Sequence, residues 1–177
     1  MKEVLHPADR RSHLPEEVMG ISDRISATDI VLDLSASSKR ALLQALAAEA
    51  AQRLGRPEAE ILDALADREA LGSTALGRGV ALPHARLAGD DPPLVLFARL
   101  QRPIDYDARD EEPVDLVVLV LWPEAEAEGF LPALSDTCRA LRKPQALRRL
   151  RSATSAEEVV SLLSRYGAPS AEAEEEE

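Results

Sequence analysis

At 177 residues the chain is long enough to bury one hydrophobic core without disulfides or a structural metal, so a single folded domain with trimmings is expected. Lys and Arg total 21 against 32 Asp and Glu, a formal charge of −11 to which Glu172, Glu174, Glu175, Glu176 and Glu177 contribute five. So acidic a chain lacks the basic surface that releases counterions from DNA or RNA, which excludes nucleic acid as its main partner and points to proteins instead. Cys138 stands alone, which excludes an internal disulfide and a cysteine-rich metal site; no apolar run is long enough to cross a bilayer, and the first residues are polar, so the expected setting is the cytoplasm.

Residues 1–20 carry no apolar periodicity and are expected to form a flexible extension, with His6 and His13 as solvated residues in it. The folded domain is expected over 21–166 and an acidic tail over 167–177. Ile30 to Leu34 is a short extended candidate, after which Ser37 or Ser38 can cap a helix beginning at Lys39. Leu42, Leu43, Leu46, Ala47, Ala50 and Leu54 recur at three and four, and Gly55 ends the pattern. Pro57 suits the first turn of a second helix, with Ile61, Leu62, Leu65 and Leu71 on its inner face and Gly72 as its stop.

From Ser73 the glycines at 72, 77 and 79 are too frequent for a helix, and the spacing predicts a loop leading into a brief strand at Val80 to Leu82. Pro83 has no N–H for a sheet ladder, so His84 is expected where that strand gives out. Leu94 to Leu100 and Val114 to Trp122 read as strands, the second apolar on both faces as a central strand is, with a loop or hairpin connection between them. The last third reads as helices over Ala127 to Leu141, Gln145 to Arg151 and Ala156 to Arg165, the last capped by Ser155. Helices, then strands, then helices predict an α+β or mixed α/β sandwich.

Function concentrates in one segment. Arg68 to Arg86 gathers a histidine, two hydroxyls, three glycines and three arginines into nineteen residues, a composition suited to handling phosphate. Imidazole is a nucleophile able to carry a covalent group and keeps a large neutral fraction near neutral pH. His84 is therefore the candidate phosphoryl acceptor. By composition alone a histidine after proline also suits a structural role, Arg68 could be a helix-end arginine satisfying terminal carbonyls, and Ser73 and Thr74 could be turn-formers bonding their own backbone. Arg139, Arg142, Lys143, Arg148, Arg149 and Arg151 cluster on the late helices as a solvated face or a dock for an acidic partner.

The run Leu65-Ala66-Asp67-Arg68-Glu69-Ala70-Leu71-Gly72-Ser73-Thr74, followed by Gly77-Arg78-Gly79-Val80-Ala81-Leu82-Pro83-His84-Ala85-Arg86, resembles the active-site segment of the fructose/mannitol-type IIA proteins of the bacterial phosphotransferase system, the nitrogen-regulatory type above all. The likeness continues through Pro103-Ile104-Asp105-Tyr106-Asp107 and Pro113-Val114-Asp115-Leu116-Val117-Val118 and covers nearly all of 21–166. It implies a mixed β-sheet flanked by helices and a histidine, here His84, that takes phosphate from an HPr-type phosphocarrier, on Nε2; spacing alone leaves Nδ1 and Nε2 open.

Arg68 matches the family's active-site arginine, whose role is to offset phosphoryl charge. Ser73 and Thr74 match its hydroxyl pair, Arg86 is a further phosphate-binding candidate two residues past the histidine, and backbone N–H groups around Gly72 and Gly77 to Gly79 could cradle oxygens. No cofactor or metal is implied. As a nitrogen-type protein the chain would serve no dedicated sugar, having neither a IIB-like cysteine site nor a IIC-like membrane segment; its output would be regulation of targets such as sensor kinases or potassium transporters.

Two positions depart from the pattern. Phe130 stands where many relatives carry a second histidine beside the acceptor, and Ala75 where they carry glycine. The first motivates a different class of function, a transfer-impaired binding module acting through protein contacts alone. A hydrolase using His84 with Asp90 or Asp105 lacks a nucleophile elbow or metal triad.

Overall fold

A computed structural model describes residues 21–167 of the chain. The expected extension over 1–20, with His6 and His13, and the glutamate-rich tail lie outside the described residues. The elements are β1 (Ile30–Leu34), α1 (Lys39–Leu54), α2 (Glu58–Ala70), β2 (Ala75–Gly77), β3 (Val80–Ala81), β4 (His84–Leu87), β5 (Leu94–Ile104), β6 (Val114–Pro123), α3 (Phe130–Leu141), α4 (Pro144–Ser152) and α5 (Ala156–Gly167), with short 3-10 turns at Ile21–Asp23, Ala27–Asp29 and Glu124–Gly129. This is the mixed sheet flanked by helices that the sequence predicts.

The sheet runs β1-β5-β6-β3-β2, with β4 also on β6. β5 and β6 are antiparallel, while β1 runs parallel to β5 and both β3 and β4 run parallel to β6. β6 is central because its side chains are apolar on both faces. Val117, Leu119 and Leu121 meet α1 and α2, and Leu116, Val118, Val120 and Trp122 meet the layer of α3, α4 and α5. The strand is therefore covered on both sides, and its hydrophobic burial ties the two helical layers together.

Local chemistry sets the helix ends. Ser38 Oγ accepts the Ala41 N–H at 3.1 Å to open α1, and Gly55 closes it in the left-handed conformation at φ 64°. Ser155 Oγ likewise accepts the Glu158 N–H at 3.1 Å. Leu42, Leu43, Leu46, Ala47 and Ala50 are buried, so the predicted stripe is the packed face of α1.

The structure corrects four expectations. Leu71 is 84% exposed: it follows the last residue of α2, and the helical period that would turn it inward has ended. The loop before His84 contains a hairpin, β2 antiparallel to β3, turned through Arg78 and Gly79 at φ 57° and 79°. Positive φ at both central residues, one of them the non-glycine Arg78, matches the twist of a two-residue hairpin, which apolar periodicity cannot reveal in three residues. The expected helix from Ala127 starts at Phe130 instead, after a 3-10 turn. Finally, His84 does not end a strand but begins one.

Candidate active site

β3 and β4 lie end to end along the same edge of β6, at Val80↔Leu116 and His84↔Val120, with Leu82 and Pro83 between them. Pro83 cannot donate to a ladder, yet its carbonyl accepts the Val120 N–H at 3.0 Å, so the edge is interrupted without being released. Ala81, Ala85 and Leu87 face the α1–α2 layer. By alternation His84 and Arg86 share the opposite face.

His84 is half-buried, and both of its ring nitrogens have partners. Nδ1 lies 2.8 Å from the Leu82 carbonyl oxygen. A carbonyl only accepts, so Nδ1 carries the proton. Nε2 then holds a lone pair, and it accepts the Nε–H of Arg68 at 3.2 Å. The imidazole pKa is lowered, chiefly by burial; the Leu82 carbonyl opposes this, the Arg68 charge adds to it, and Glu69 works against it. The result is a neutral nucleophile with a defined tautomer.

Arg68 reaches the site from the last turn of α2. Its Nη1 donates to the Gly72 carbonyl at 2.9 Å, so the helix-end role and the contact with the histidine coexist in one guanidinium. Among the described residues it forms no ion pair. Its charge is left for an incoming anion.

On the other side stands Phe130, at the first position of α3, with ring centroids 5.9 Å from His84 and 6.3 Å from Trp122. The Arg86 guanidinium lies 5.9 Å over the Phe130 ring. Gly129 allows this approach, since a Cβ there would meet Trp122 Cζ2 at 2.6 Å, and Trp122 Nε1 donates to the Glu126 carbonyl at 2.7 Å. The wall beside the imidazole is thus aromatic and offers it no hydrogen bond.

The two hydroxyls point elsewhere. Ser73 Oγ donates to the Tyr106 carbonyl at 3.0 Å and accepts the Ala75 N–H at 3.2 Å. Thr74 is buried, and its Oγ1 bonds a Glu69 carboxylate oxygen. Neither has a proton left for a phosphoryl oxygen in this arrangement. The expected glycine cradle is split: Gly72 lies at the Arg68 contact with its N–H given to the Glu69 carbonyl at 3.0 Å, while the Arg78 N–H donates to Asp110 at 2.9 Å and Gly79 sits against Asp115 and Arg151. Gly79 lies five positions before His84, on the order of 15 Å along extended chain. Asp90 is exposed, and Asp105 accepts the Asp107 N–H at 3.0 Å within its own loop. Among the described residues no cluster of three or more His, Cys, Asp or Glu side chains is arranged to hold a metal, and no helix is long and apolar enough to cross a membrane.

Sequence reasoning missed Glu69, Lys39 and Tyr106. Glu69 accepts from Lys39 Nζ at 2.8 Å, from the Thr74 N–H at 3.2 Å, from Tyr106 Oη at 2.9 Å and from Thr74 Oγ1. Burial raises its pKa, but Lys39, Thr74 and Tyr106 outweigh that and hold the carboxyl below its usual value. A signal was present: Lys39 opens α1 and Glu69 sits in the last turn of α2, each with the wrong sign for its helix dipole.

Residues 24–166 match the family described as phosphoenolpyruvate-dependent sugar phosphotransferase system, EIIA 2. The nitrogen regulatory protein of Bradyrhizobium diazoefficiens is 41% identical over 145 residues, covering 82% of this chain and 95% of that protein. Its Escherichia coli counterpart is 36% identical over 127 residues, covering 71% and 78%. Among solved structures, the nitrogen regulatory protein IIA-Ntr of Neisseria meningitidis superimposes with a TM-score of 0.77 at 34% identity, over 81% of this chain and 98% of that one. IIA mannitol from Escherichia coli, at a TM-score of 0.64 and 23% identity over 78% and 98%, shares the fold. The chain belongs to the EIIA 2 family of the phosphoenolpyruvate-dependent sugar phosphotransferase system.

Proposed function

We propose that the chain is a regulatory phosphocarrier of the nitrogen phosphotransferase system, which accepts a phosphoryl group on His84 Nε2 from an HPr-type protein and signals to protein targets by its phosphorylation state. The observation that carries this reading is the imidazole itself: Nδ1 protonated against Leu82, Nε2 unprotonated and turned toward an arginine that pairs with no carboxylate among the described residues. The Nε2 lone pair attacks phosphorus on the donor's phosphohistidine. An N–P bond forms at Nε2, the donor's N–P bond breaks, and its electron pair returns to the donor nitrogen. Nδ1 keeps its proton throughout.

Arg68 exchanges its hydrogen bond to Nε2 for one to a phosphoryl oxygen, and its charge offsets that of the transferring group. Arg86, on the same face of β4, is the second cation in reach; Ser73 and Thr74 act by bracing the loop between Arg68 and the hairpin. The kinship with nitrogen regulatory proteins supports a regulatory output; sensor kinases or potassium transporters are the targets proposed for it.

The test is phosphorylation of the purified chain by phosphoenolpyruvate, enzyme I and an HPr-type donor, read by intact mass. An acid-labile adduct present in the wild type and lost in His84→Ala is expected; an adduct that survives the substitution overturns the assignment.

Phe130 favours a second reading. Its ring, 5.9 Å from His84, has no polar group to orient the acceptor or meet the phosphoryl oxygens. On this reading the chain is a transfer-impaired module that regulates a sensor kinase or transporter by contact. Phe130→His then accelerates phosphorylation strongly, whereas an unchanged rate removes the basis for it.

A further inference from the structure

The most heavily bonded charge near His84 is one the transfer chemistry does not touch. Glu69 receives four hydrogen bonds from three directions: Lys39 at the start of α1, Thr74 in the loop after α2, and Tyr106 in the β5–β6 connection. Lys39 also lies 4.6 Å over the Tyr106 ring and 3.7 Å from Asp107, and Tyr106 Oη is 3.1 Å from Thr74 Oγ1. The Glu69 side chain is only 6% exposed. A buried carboxylate held by a cation and three further donors is stiff, and removal of any one partner leaves the rest undersatisfied.

Its position in the chain gives that stiffness a consequence. Glu69 directly follows Arg68, and Gly72, whose carbonyl receives Arg68 Nη1, lies two residues before Thr74. Both ends of the turn that aims Arg68 are therefore fixed by Glu69, through its own backbone and through Thr74. A further circumstance isolates the pair: a lysine at a helix start and a glutamate at a helix end are each disfavoured by the dipole, and each is accommodated here by the other.

We propose that Lys39 and Glu69, with Tyr106 and Thr74, form a charge-balanced positioning unit that holds Arg68 Nε on His84 Nε2 and sets how much positive potential the imidazole feels. Glu69 is a positioning residue: it touches Arg68 only through the backbone, and substrate not at all. The charged groups facing His84 are Arg68 and Glu69 from α2 and Arg86 on β4 itself; β6 presents Val120 and Trp122, and α3 presents Phe130. With so few charges present, the sign of each change can be followed. Removal of the Glu69 charge leaves Lys39 uncompensated, which disfavours the imidazolium; removal of the Lys39 charge leaves Glu69 uncompensated, which favours it.

The inference rests on the phosphocarrier reading for its effect on transfer, but its first test does not. The His84 imidazole is titrated by NMR in the full chain, with its signals assigned by their loss in His84→Ala. Glu69→Gln is expected to lower the midpoint, Lys39→Met to raise it, and the double substitution to return it toward the wild-type value, while Lys39→Arg leaves it in place. Shifts of the same sign in both single variants, or none in either, overturn the proposal, because loosening of a merely structural contact carries no such antisymmetry. If Glu69→Gln fails to fold, Lys39→Met against Lys39→Arg decides the same point, and equal midpoints overturn it. In the phosphorylation assay Glu69→Gln is expected to slow transfer on the order of tenfold through misaimed Arg68. A chain that takes no phosphate at all ends the phosphocarrier reading, while the titration still judges the positioning unit.

Discussion

Two ends of one sheet edge carry arginines to opposite purposes. At the hairpin end, Arg151 Nε and Nη2 close on the Asp115 carboxylate at 2.9 to 3.1 Å and Nη2 donates to the Arg78 carbonyl at 2.6 Å. At the His84 end, Arg68 donates to a neutral ring nitrogen and a carbonyl. The first guanidinium has its charge answered by a carboxylate and serves as a staple. The second pairs with no carboxylate among the described residues and lies beside a half-buried imidazole that packs on an aromatic ring. On the phosphocarrier reading proposed above, what separates the two arginines is not burial or hydrogen-bond count but whether a carboxylate among the described residues pairs with the guanidinium.

The largest contrast is expected between the two truncations. Arg68→Ala should cut the rate of phosphorylation about a thousandfold with little change in stability, because transferring phosphoryl charge loses its counter-cation. Arg151→Ala should leave transfer in place and cost about 1 kcal/mol in denaturant unfolding, a modest figure for a pair that is partly exposed. Equal effects on transfer would dissolve the distinction.

Gly79→Ala tests the staple end by geometry. At φ 79°, with a Cβ meeting Arg151 Nη2 at 2.6 Å, the substitution should destabilise the fold by about 2 kcal/mol and leave the folded protein active. Arg68→Lys keeps the charge but loses the planar fork that serves His84 and Gly72 together, and a roughly tenfold slower transfer is expected.

Acidification gives the gentlest probe. The folded pKa of His84 lies below its ordinary 6.5, so the nucleophile stays neutral and transfer should hold level as pH falls through 6.5, declining only lower. The unfolded chain takes up that proton first. The corresponding increment of stability is therefore complete above about pH 6.5 and is lost as pH falls through the folded value. Glu69, held below 4.5 in the fold, adds a second loss of the same sign at more acid pH. A transfer rate that halves at pH 6.5 would place His84 among ordinary solvated histidines.

The layers of this fold were legible because they follow from periodicity and caps. Ser38, Gly55 and Ser155 mark helix ends by chemistry that needs no tertiary partner, and the doubly apolar run of β6 announces a covered central strand. The hairpin at Gly77 to Val80 was hidden, since three-residue strands have no period to read. Leu71 was misassigned because a stripe continues in sequence after its helix has stopped. In the site, Arg68, His84 and Phe130 were foreseen from the motif, and the fold brings them together. The partners of Ser73 and Thr74, and the joining of Lys39 to Glu69 across thirty residues, depend on how α1 and α2 dock, which no local pattern encodes. The two dipole-opposed charges were the one trace of that docking in the chain.

On the proposed reading His84 offers Nε2, with Nδ1 protonated. Long-range nitrogen–proton correlation of the imidazole tests this directly, first on the free chain and then after phosphorylation. A neutral Nδ1–H tautomer is expected near pH 7, and after phosphorylation an N–P bond at Nε2 with Nδ1 still protonated. An Nε2–H tautomer, or a phosphoryl group on Nδ1, would contradict it.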